Sequence, residues 1–119
     1  MQAPQHATVF NAERLLDAIA SSGNRPVIID FWTPRCSACR SVLHTIDDIA
    51  CRVGDRAVVG TLNVRDHTAV AQTLGVEVVP TLLVFRNGEE AARLPSAKKI
   101  QSFDERLEDE LFGGSLRCA

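Results

Sequence analysis

The segment 27–40, which reads VIIDFWTPRCSACR, restricts the possible folds of this chain more than any other part of it. It begins with an apolar run that carries one acid, Asp30, and ends at the single tryptophan, Trp32. A nearly continuous apolar run is typical of a strand covered on both faces, as in the middle of a parallel sheet. After a short loop come Cys36 and Cys39, and apolar residues then recur at helical spacing. The segment therefore predicts a buried strand, a loop and a helix that begins at two cysteines.

The spacing of these cysteines predicts a reactive dithiol. Cys36 lies at the predicted start of the helix, where unpaired N–H groups and the helix dipole favour the thiolate over the thiol. Arg35 and Arg40 flank the motif and add positive potential. Cys39, one helical turn further along, is placed to resolve a mixed disulfide formed on Cys36. Two alternatives stay open, a redox-silent pair and half of a zinc site.

A zinc site needs two further ligands, and the sequence offers weak candidates. Cys51 follows Cys39 by twelve residues in the same predicted helix, about 18 Å away at about 1.5 Å per residue. Cys118 lies in the terminal SLRCA segment, which we expect to be frayed. Nothing near His6 suggests a ligand, and residues 1–6 are expected to form a loose leader. We therefore expect no metal and no cofactor, with Cys51 a small core or surface residue and Cys118 a loose tail thiol.

Asp30 is the second unusual feature of the segment. An acid is costly to bury in its charged form, so it either faces a polar pocket or has a raised pKa. If its side chain points under the helix start, it can accept the proton of Cys39 through a water molecule, as a general base. The alternative is an acid at a strand edge that reaches water.

The remaining sequence predicts one α/β domain over residues 1–119, with a core at about 7–111 and loose termini. The predicted order is β-α-β-α-β-α-β-β-α, with parallel crossovers first. Asp66 or Thr68 is the predicted cap of the third helix. Asn87 and Gly88 predict a tight antiparallel hairpin, and Ser96 is a suitable cap for the last helix.

Composition excludes two classes of partner. Lysine and arginine number 13 against 15 acids, a net charge of −2, so the basic stripe of a nucleic-acid-binding protein is not expected. No apolar run approaches the roughly 18 residues of a membrane span, so no membrane partner is expected. The first ten residues, MQAPQHATVF, show no export signal, and we expect a cytoplasmic protein.

Several motifs in one order and spacing resemble the thioredoxin family, over about residues 7–111. The matching pieces are Asp30-Phe31-Trp32, Cys36-x-x-Cys39, Thr61-Leu62-Asn63-Val64, Gly75-Val76-x-Val78-Val79-Pro80-Thr81 and Phe85-x-Asn87-Gly88-Glu89. The resemblance implies a thioredoxin fold, with a central mixed β-sheet flanked by helices. It also implies that the Val79–Pro80 peptide bond is cis, whereas the sequence alone favours a simple proline at the start of a strand.

The function that this resemblance implies is thiol–disulfide exchange. Cys36 is then the nucleophile, Cys39 the buried resolving thiol and Asp30 the proton acceptor. The implied substrate-binding positions are Trp32, Arg35, Ser37, Ala38, Val79, Pro80 and Ser96. The implied partners are client proteins that contain disulfides and an electron donor resembling thioredoxin reductase, with the protein itself a monomer.

The chain departs from the family pattern at positions that tune the chemistry. Arg35 stands in place of a tryptophan, Ala38 in place of a proline, and Thr61 where a lysine often pairs with the buried acid. The loss of that lysine is expected to raise the pKa of Asp30 further. The departures keep two other functions open, namely a disulfide isomerase or oxidase, and a binding module or chaperone accessory in which redox turnover is incidental.

Overall fold

In the computed structural model, which describes residues 4–114 and 116–118, the apolar run of segment 27–40 is the middle strand of a five-stranded sheet. The strands are β1 (Thr8–Val9), β2 (Val27–Trp32), β3 (Val58–Asn63), β4 (Thr81–Arg86) and β5 (Glu89–Leu94). Their order across the sheet is β1-β3-β2-β4-β5. The first three run parallel, whereas β4 is antiparallel to β2 and β5 to β4. The predicted mixed sheet and its short edge strand are confirmed.

Helices connect and cover these strands in the predicted alternation. They are α1 (Ala12–Ala20), α2 (Ser37–Val53), α3 (Thr68–Thr73) and α4 (Ala97–Leu107); a 3₁₀ turn (Gly54–Arg56) follows α2 and a π-helical turn (Glu108–Phe112) follows α4. The predicted cap of α4 is confirmed, because Ser96 Oγ accepts from the Lys99 N–H at 3.2 Å. The predicted cap of α3 is wrong. His67 precedes that helix without a side-chain cap, and the Thr68 hydroxyl donates to the Val64 carbonyl at 3.2 Å instead. Among the described residues, no helix combines the length and the apolar character that crossing a membrane requires.

Both faces of β2 are buried, which explains its unbroken apolar character. Ile28 packs in a cluster with residues of α2 and α4 on one face, whereas Val27 and Ile29 pack in a second cluster with residues of α1 and α3 on the other. At the far edge, Asn87 and Gly88 have φ angles of 55° and 78°. Positive φ at both central residues is the geometry of a type I′ hairpin, so the predicted β4–β5 turn is confirmed.

Two predictions about the chain ends are wrong for the residues that the structure describes there. The backbone N–H groups of His6 and Ala7 donate to Asp47 Oδ1 of α2, at 2.7 and 2.9 Å, so the predicted loose leader is held down at its last residue. Leu116 is buried in the α2–α4 cluster and Cys118 forms a disulfide with Cys51, so this part of the tail is not frayed. The reason is that Leu116 packs against apolar residues of α2 and α4, and Cys118 is bonded to Cys51 of α2. Residues 1–3, 115 and 119 lie outside the described residues.

Candidate active site

The two cysteines of the CSAC motif sit where α2 begins, as the sequence predicts. Cys36 is the N-cap of the helix in an extended backbone conformation, and its Sγ accepts from the Cys39 N–H at 3.0 Å. The two residues form a disulfide with their Cα atoms 5.2 Å apart, within the usual range for such bonds. The sulfur of Cys36 therefore occupies the position at the helix N-terminus where a negative charge is best stabilised.

The two sulfurs differ in their access to solvent. Cys39 is fully buried, whereas Cys36 is half-buried. The side chains around Cys36, those of Arg35, Ser37 and Arg40, are exposed, and so is Ala38. An external thiolate or disulfide therefore reaches Cys36 first, across a rim that carries two positive charges.

Asp30 lies inside the protein, and the alternative of an acid at a strand edge is wrong. Its side chain has no exposed surface, and β2 has a neighbouring strand on each side. Neither carboxylate oxygen has a hydrogen-bond partner among the described residues. Burial in these surroundings raises the pKa of Asp30 to about 8. The predicted rise of this pKa is thus confirmed.

The position of Asp30 in the sheet directs its side chain towards the dithiol helix. Residues two apart on a strand share a face, so Asp30 points to the same side as Ile28, which packs in the cluster that contains residues of α2. Cys39 lies on the buried face of α2, near the end of β2 that Trp32 closes. The neighbouring residue of Asp30 on β3 is Thr61, which is buried and uncharged and supplies no cation to stabilise the carboxylate.

A second chain segment reaches the dithiol from far along the sequence. The Val79–Pro80 peptide bond is cis, as the resemblance implies. The carbonyl oxygen of Val79 lies 3.9 Å from Cys36 Sγ. Pro80 is buried, whereas Val78 is 53% exposed. The backbone of this turn is therefore at the edge of the dithiol, beside a side chain that is open to solvent.

Trp32 and Ser96 border the same end of the sheet. Trp32 is half-buried and ends β2, opposite Asn63 of β3. Ser96 comes two residues after Leu94, which pairs with Leu82 near the start of β4 and hence near Pro80. Because the hydroxyl of Ser96 caps α4, its oxygen already has a hydrogen-bond partner in the protein.

A second group of reactive side chains was not predicted from the sequence. One ring nitrogen of His6 and the sulfurs of Cys51 and Cys118 all lie within 4.8 Å of one another. The expectation that nothing near His6 suggests a ligand is therefore wrong, as is the interpretation of Cys118 as a loose thiol. The available signal was the apolar Leu116 close to Cys118, which indicates a tail that packs. Among the described histidines, cysteines and acids, this is the one group of three whose ligand atoms lie close enough together to bind a single metal ion.

Comparisons with known proteins agree with this geometry. The sequence profile described as Thioredoxin matches residues 6–109. Thioredoxin 1 of Nostoc sp. is 31% identical over 86 residues, which cover 72% of this chain and 80% of that protein. Thioredoxin 1 of Synechococcus elongatus is 38% identical over 64 residues, 54% of this chain and only 60% of that protein.

Solved structures show the same fold. Thioredoxin NaTrxh from Nicotiana alata has a TM-score of 0.77 at 24% identity, with 91% of this chain and 96% of that chain covered. A chain from the crystal structure of a complex of ferredoxin:thioredoxin reductase and thioredoxin f2 has a TM-score of 0.76 at 18% identity, with 87% of this chain and 93% of that chain covered. The matching Thioredoxin profile and the relatives from Nostoc and Synechococcus, together with the Cys36–Cys39 disulfide, support thiol–disulfide oxidoreductase chemistry.

Proposed function

Because the chain belongs to the thioredoxin family, we propose that it reduces disulfides of client proteins through Cys36 and Cys39. The observation that carries this proposal is the pairing of a half-buried Cys36 at the N-terminus of α2 with a fully buried Cys39 behind it. An accessible thiolate suits the first attack, and a protected thiol suits the second, because the buried thiol does not form mixed disulfides of its own.

In the proposed reaction the protein starts as the reduced dithiol. The thiolate of Cys36 attacks one sulfur of the client disulfide, so that a Cys36–client mixed disulfide forms and the other client sulfur leaves as a thiolate. Cys39 then gives its proton to the carboxylate of Asp30 through a water molecule, and its thiolate attacks Cys36 Sγ. The second client thiolate leaves, and two electrons have passed from the dithiol to the client.

Asp30 suits the role of proton acceptor because its pKa, raised to about 8, lies near that of a thiol. An acid with an ordinary pKa is a poor base for a thiol proton, since the transfer is uphill by several pKa units. The closer match lowers this cost and still leaves part of the Asp30 population ionised at neutral pH.

Client recognition, in this proposal, combines backbone pairing with charge. The backbone of Val79 binds an extended client segment as an added strand. Trp32, Ser37, Ala38, Pro80 and Ser96 border that segment. The exposed guanidinium groups of Arg35 and Arg40 favour clients with acidic residues next to the disulfide.

The oxidised protein needs an electron donor, and we propose a reductase of the thioredoxin-reductase type. Support comes from the structural similarity to a chain of the ferredoxin:thioredoxin reductase and thioredoxin f2 complex. We further propose that the protein acts as a monomer in the cytoplasm, where such a donor keeps the dithiol reduced. Cell fractionation and sedimentation of the purified protein test these two points.

Reduction of insulin disulfides tests the activity. We expect turnover with the wild-type chain, loss of turnover in Cys36→Ser, and a trapped client adduct in Cys39→Ser. Arg14→Gln is a matched control, because it removes an exposed arginine on α1, a helix that covers the other face of the sheet. Turnover that survives in Cys36→Ser would contradict the mechanism.

One observation favours a second function, a disulfide oxidase or isomerase. Two exposed arginines near a helix-capping Cys36 stabilise its thiolate, and stabilising the reduced form makes a disulfide more oxidising. The reduction potential separates the two functions: a value near about −270 mV indicates a reductant and one near about −120 mV an oxidant. Client binding that is unchanged in Cys36→Ser/Cys39→Ser, without turnover in the wild type, would instead indicate a binding module.

A further inference from the structure

The disulfide between Cys51 and Cys118 joins the C-terminal segment to α2, far from the CSAC motif. The Cα atoms are 4.9 Å apart although the residues are separated by 67 positions. Cys51 follows Cys36 by fifteen residues, which places it about 22 Å away along the helix at about 1.5 Å per residue. The Cys36 thiolate of the same molecule therefore cannot reach this disulfide, and its chemistry is independent of the proposed reductase activity.

Its two sulfurs are unequally accessible. Cys118 is exposed, whereas Cys51 is half-buried on α2. An external thiolate therefore attacks Cys118, and Cys51 is the leaving group. The imidazole of His6 lies within 4.8 Å of both sulfurs. The backbone N–H of His6 donates to Asp47, one turn before Cys51 on α2, which places residue 6 beside this part of the helix. An imidazole this close to the leaving sulfur can stabilise the departing thiolate by a hydrogen bond from its ring N–H.

A cavity of about 280 Å³ opens at His6, which also belongs to the cluster that contains this disulfide. Ala50 of α2 and Gly54 of the 3₁₀ turn, both close to Cys51 in the sequence, also line it, and so does Arg25 from the segment that precedes β2. No acidic side chain is part of this lining. The cavity has the volume for a small molecule, and its guanidinium favours one with a carboxylate.

We propose that Cys51 and Cys118 form a second thiol–disulfide exchange site, which takes a small thiol that bears a carboxylate. The thiolate of that molecule attacks Cys118 Sγ, the Cys51–Cys118 bond breaks, and a mixed disulfide forms on Cys118. The electron pair leaves with Cys51 as a thiolate, which takes a proton from water while the His6 imidazole lies beside it. A second molecule of the thiol attacks the mixed disulfide, so that the oxidised thiol dimer leaves and both cysteines are reduced. The C-terminal segment is then no longer covalently held to α2.

The experiment uses the full chain with Cys36→Ser and Cys39→Ser, so that only the second pair can react and failure of the proposed reductase activity does not affect the outcome. The protein is purified under oxidising conditions, and in a denatured sample of it we expect a thiol assay to detect no free thiol. Two free thiols, or zinc bound to two reduced cysteines, would overturn the proposal. When the folded protein is exposed to glutathione, an anionic thiol, it should form an adduct that peptide mapping places on Cys118. An adduct on Cys51 contradicts the assignment.

Charge and histidine variants test the cavity and the leaving group separately. Arg25→Gln should slow the reaction with glutathione by up to about fivefold, the effect of one exposed charge. The reaction with cationic cysteamine should instead become faster, because the variant removes a charge that repels it. His6→Ala should slow both thiols alike. Arg14→Gln on α1 is the matched control and should change neither rate. Rates that neither Arg25→Gln nor His6→Ala changes would refute the site.

Discussion

The pH dependence of stability should show the buried carboxyl of Asp30 directly. In the folded chain its pKa is raised to about 8, whereas in the unfolded chain it returns to its ordinary value of 3.8. Between these two values the folded state binds more protons than the unfolded state, so the free energy of unfolding falls as pH rises. Below the lower value the two states are equally protonated, and above the upper value the loss is complete.

The magnitude follows from the two pKa values. Each pKa unit corresponds to about 1.4 kcal/mol, so this one group should lower the free energy of unfolding by about 4 kcal/mol between pH 5 and pH 8.5. Most of that loss falls below pH 8, with a slope that flattens above it. Asp30→Asn keeps the shape of the side chain and removes the titration, so the variant should lack this component.

The assay is urea unfolding of both proteins across this pH range, with the disulfides oxidised so that no thiol titrates. The quantity of interest is the difference in free energy of unfolding, variant minus wild type, which cancels the groups that the two chains share. It should increase by about 1.4 kcal/mol per pH unit up to pH 7 and level off above pH 8. A difference that does not change with pH would refute the burial of an uncompensated carboxyl at this position.

Three further variants test other parts of the structure. Arg35→Glu should make the reduction potential of the Cys36–Cys39 pair more negative by about 10–20 mV, since an anion on the rim destabilises the thiolate by a fraction of a kcal/mol. The control Arg14→Glu should leave the potential unchanged, and a shift to a less negative value in Arg35→Glu would contradict the charge argument. Cys118→Ser should lower the free energy of unfolding, measured by urea unfolding, by about 4 kcal/mol, which is the chain-entropy value for a loop closed across a sequence separation of 67. An unchanged unfolding midpoint would mean that the disulfide does not form. Arg52→Met should lower the free energy of unfolding by about 1–2 kcal/mol, because the Arg52 side chain bridges Asp48 of α2 and Asp104 of α4 and is only 16% exposed. If this loss is not smaller at high salt, packing rather than charge is the cause.

Local sequence patterns predict β2 and α2 well because their signals lie within a few residues. The apolar run ending at Trp32 reflects burial on both faces, and the helical spacing after Cys36 reflects the one buried face of α2. The hairpin at Asn87 and Gly88 is also local, because its turn type needs positive φ at two successive residues. Such features depend little on the rest of the chain.

Features that depend on tertiary neighbours are harder to predict. The environment of Asp30 is set by β3 and β4 on either side of β2 and by α2 above it, so the sequence leaves several possibilities open. Without the family resemblance, the sequence favours a strand-start proline at Pro80 over a cis peptide bond beside the dithiol. The disulfide of Cys118 with Cys51 joins a short tail to a helix, and the apolar Leu116, which indicates that the tail packs, does not show which helix it packs against.

The effects of Asp30 and of the C-terminal disulfide on stability are of similar size and opposite sign. At pH 7 the buried carboxyl costs about 4 kcal/mol, because burial removes the carboxylate from water and Thr61 supplies no cation where the thioredoxin pattern often has a lysine. The Cys51–Cys118 crosslink contributes about 4 kcal/mol in the opposite direction. Each of these two effects is a large part of the free energy of unfolding of a typical domain.

The two effects should add, because they act at opposite ends of α2. Cys39, on the Asp30 side, precedes Cys51 by twelve residues, or about 18 Å of helix, beyond the range at which mutations usually couple. In Asp30→Asn the loss caused by Cys118→Ser should therefore match its value in the wild-type chain to within about 0.5 kcal/mol at every pH. A larger deviation would mean that opening the C-terminal disulfide changes the packing around Asp30, and the two ends of α2 would then be coupled.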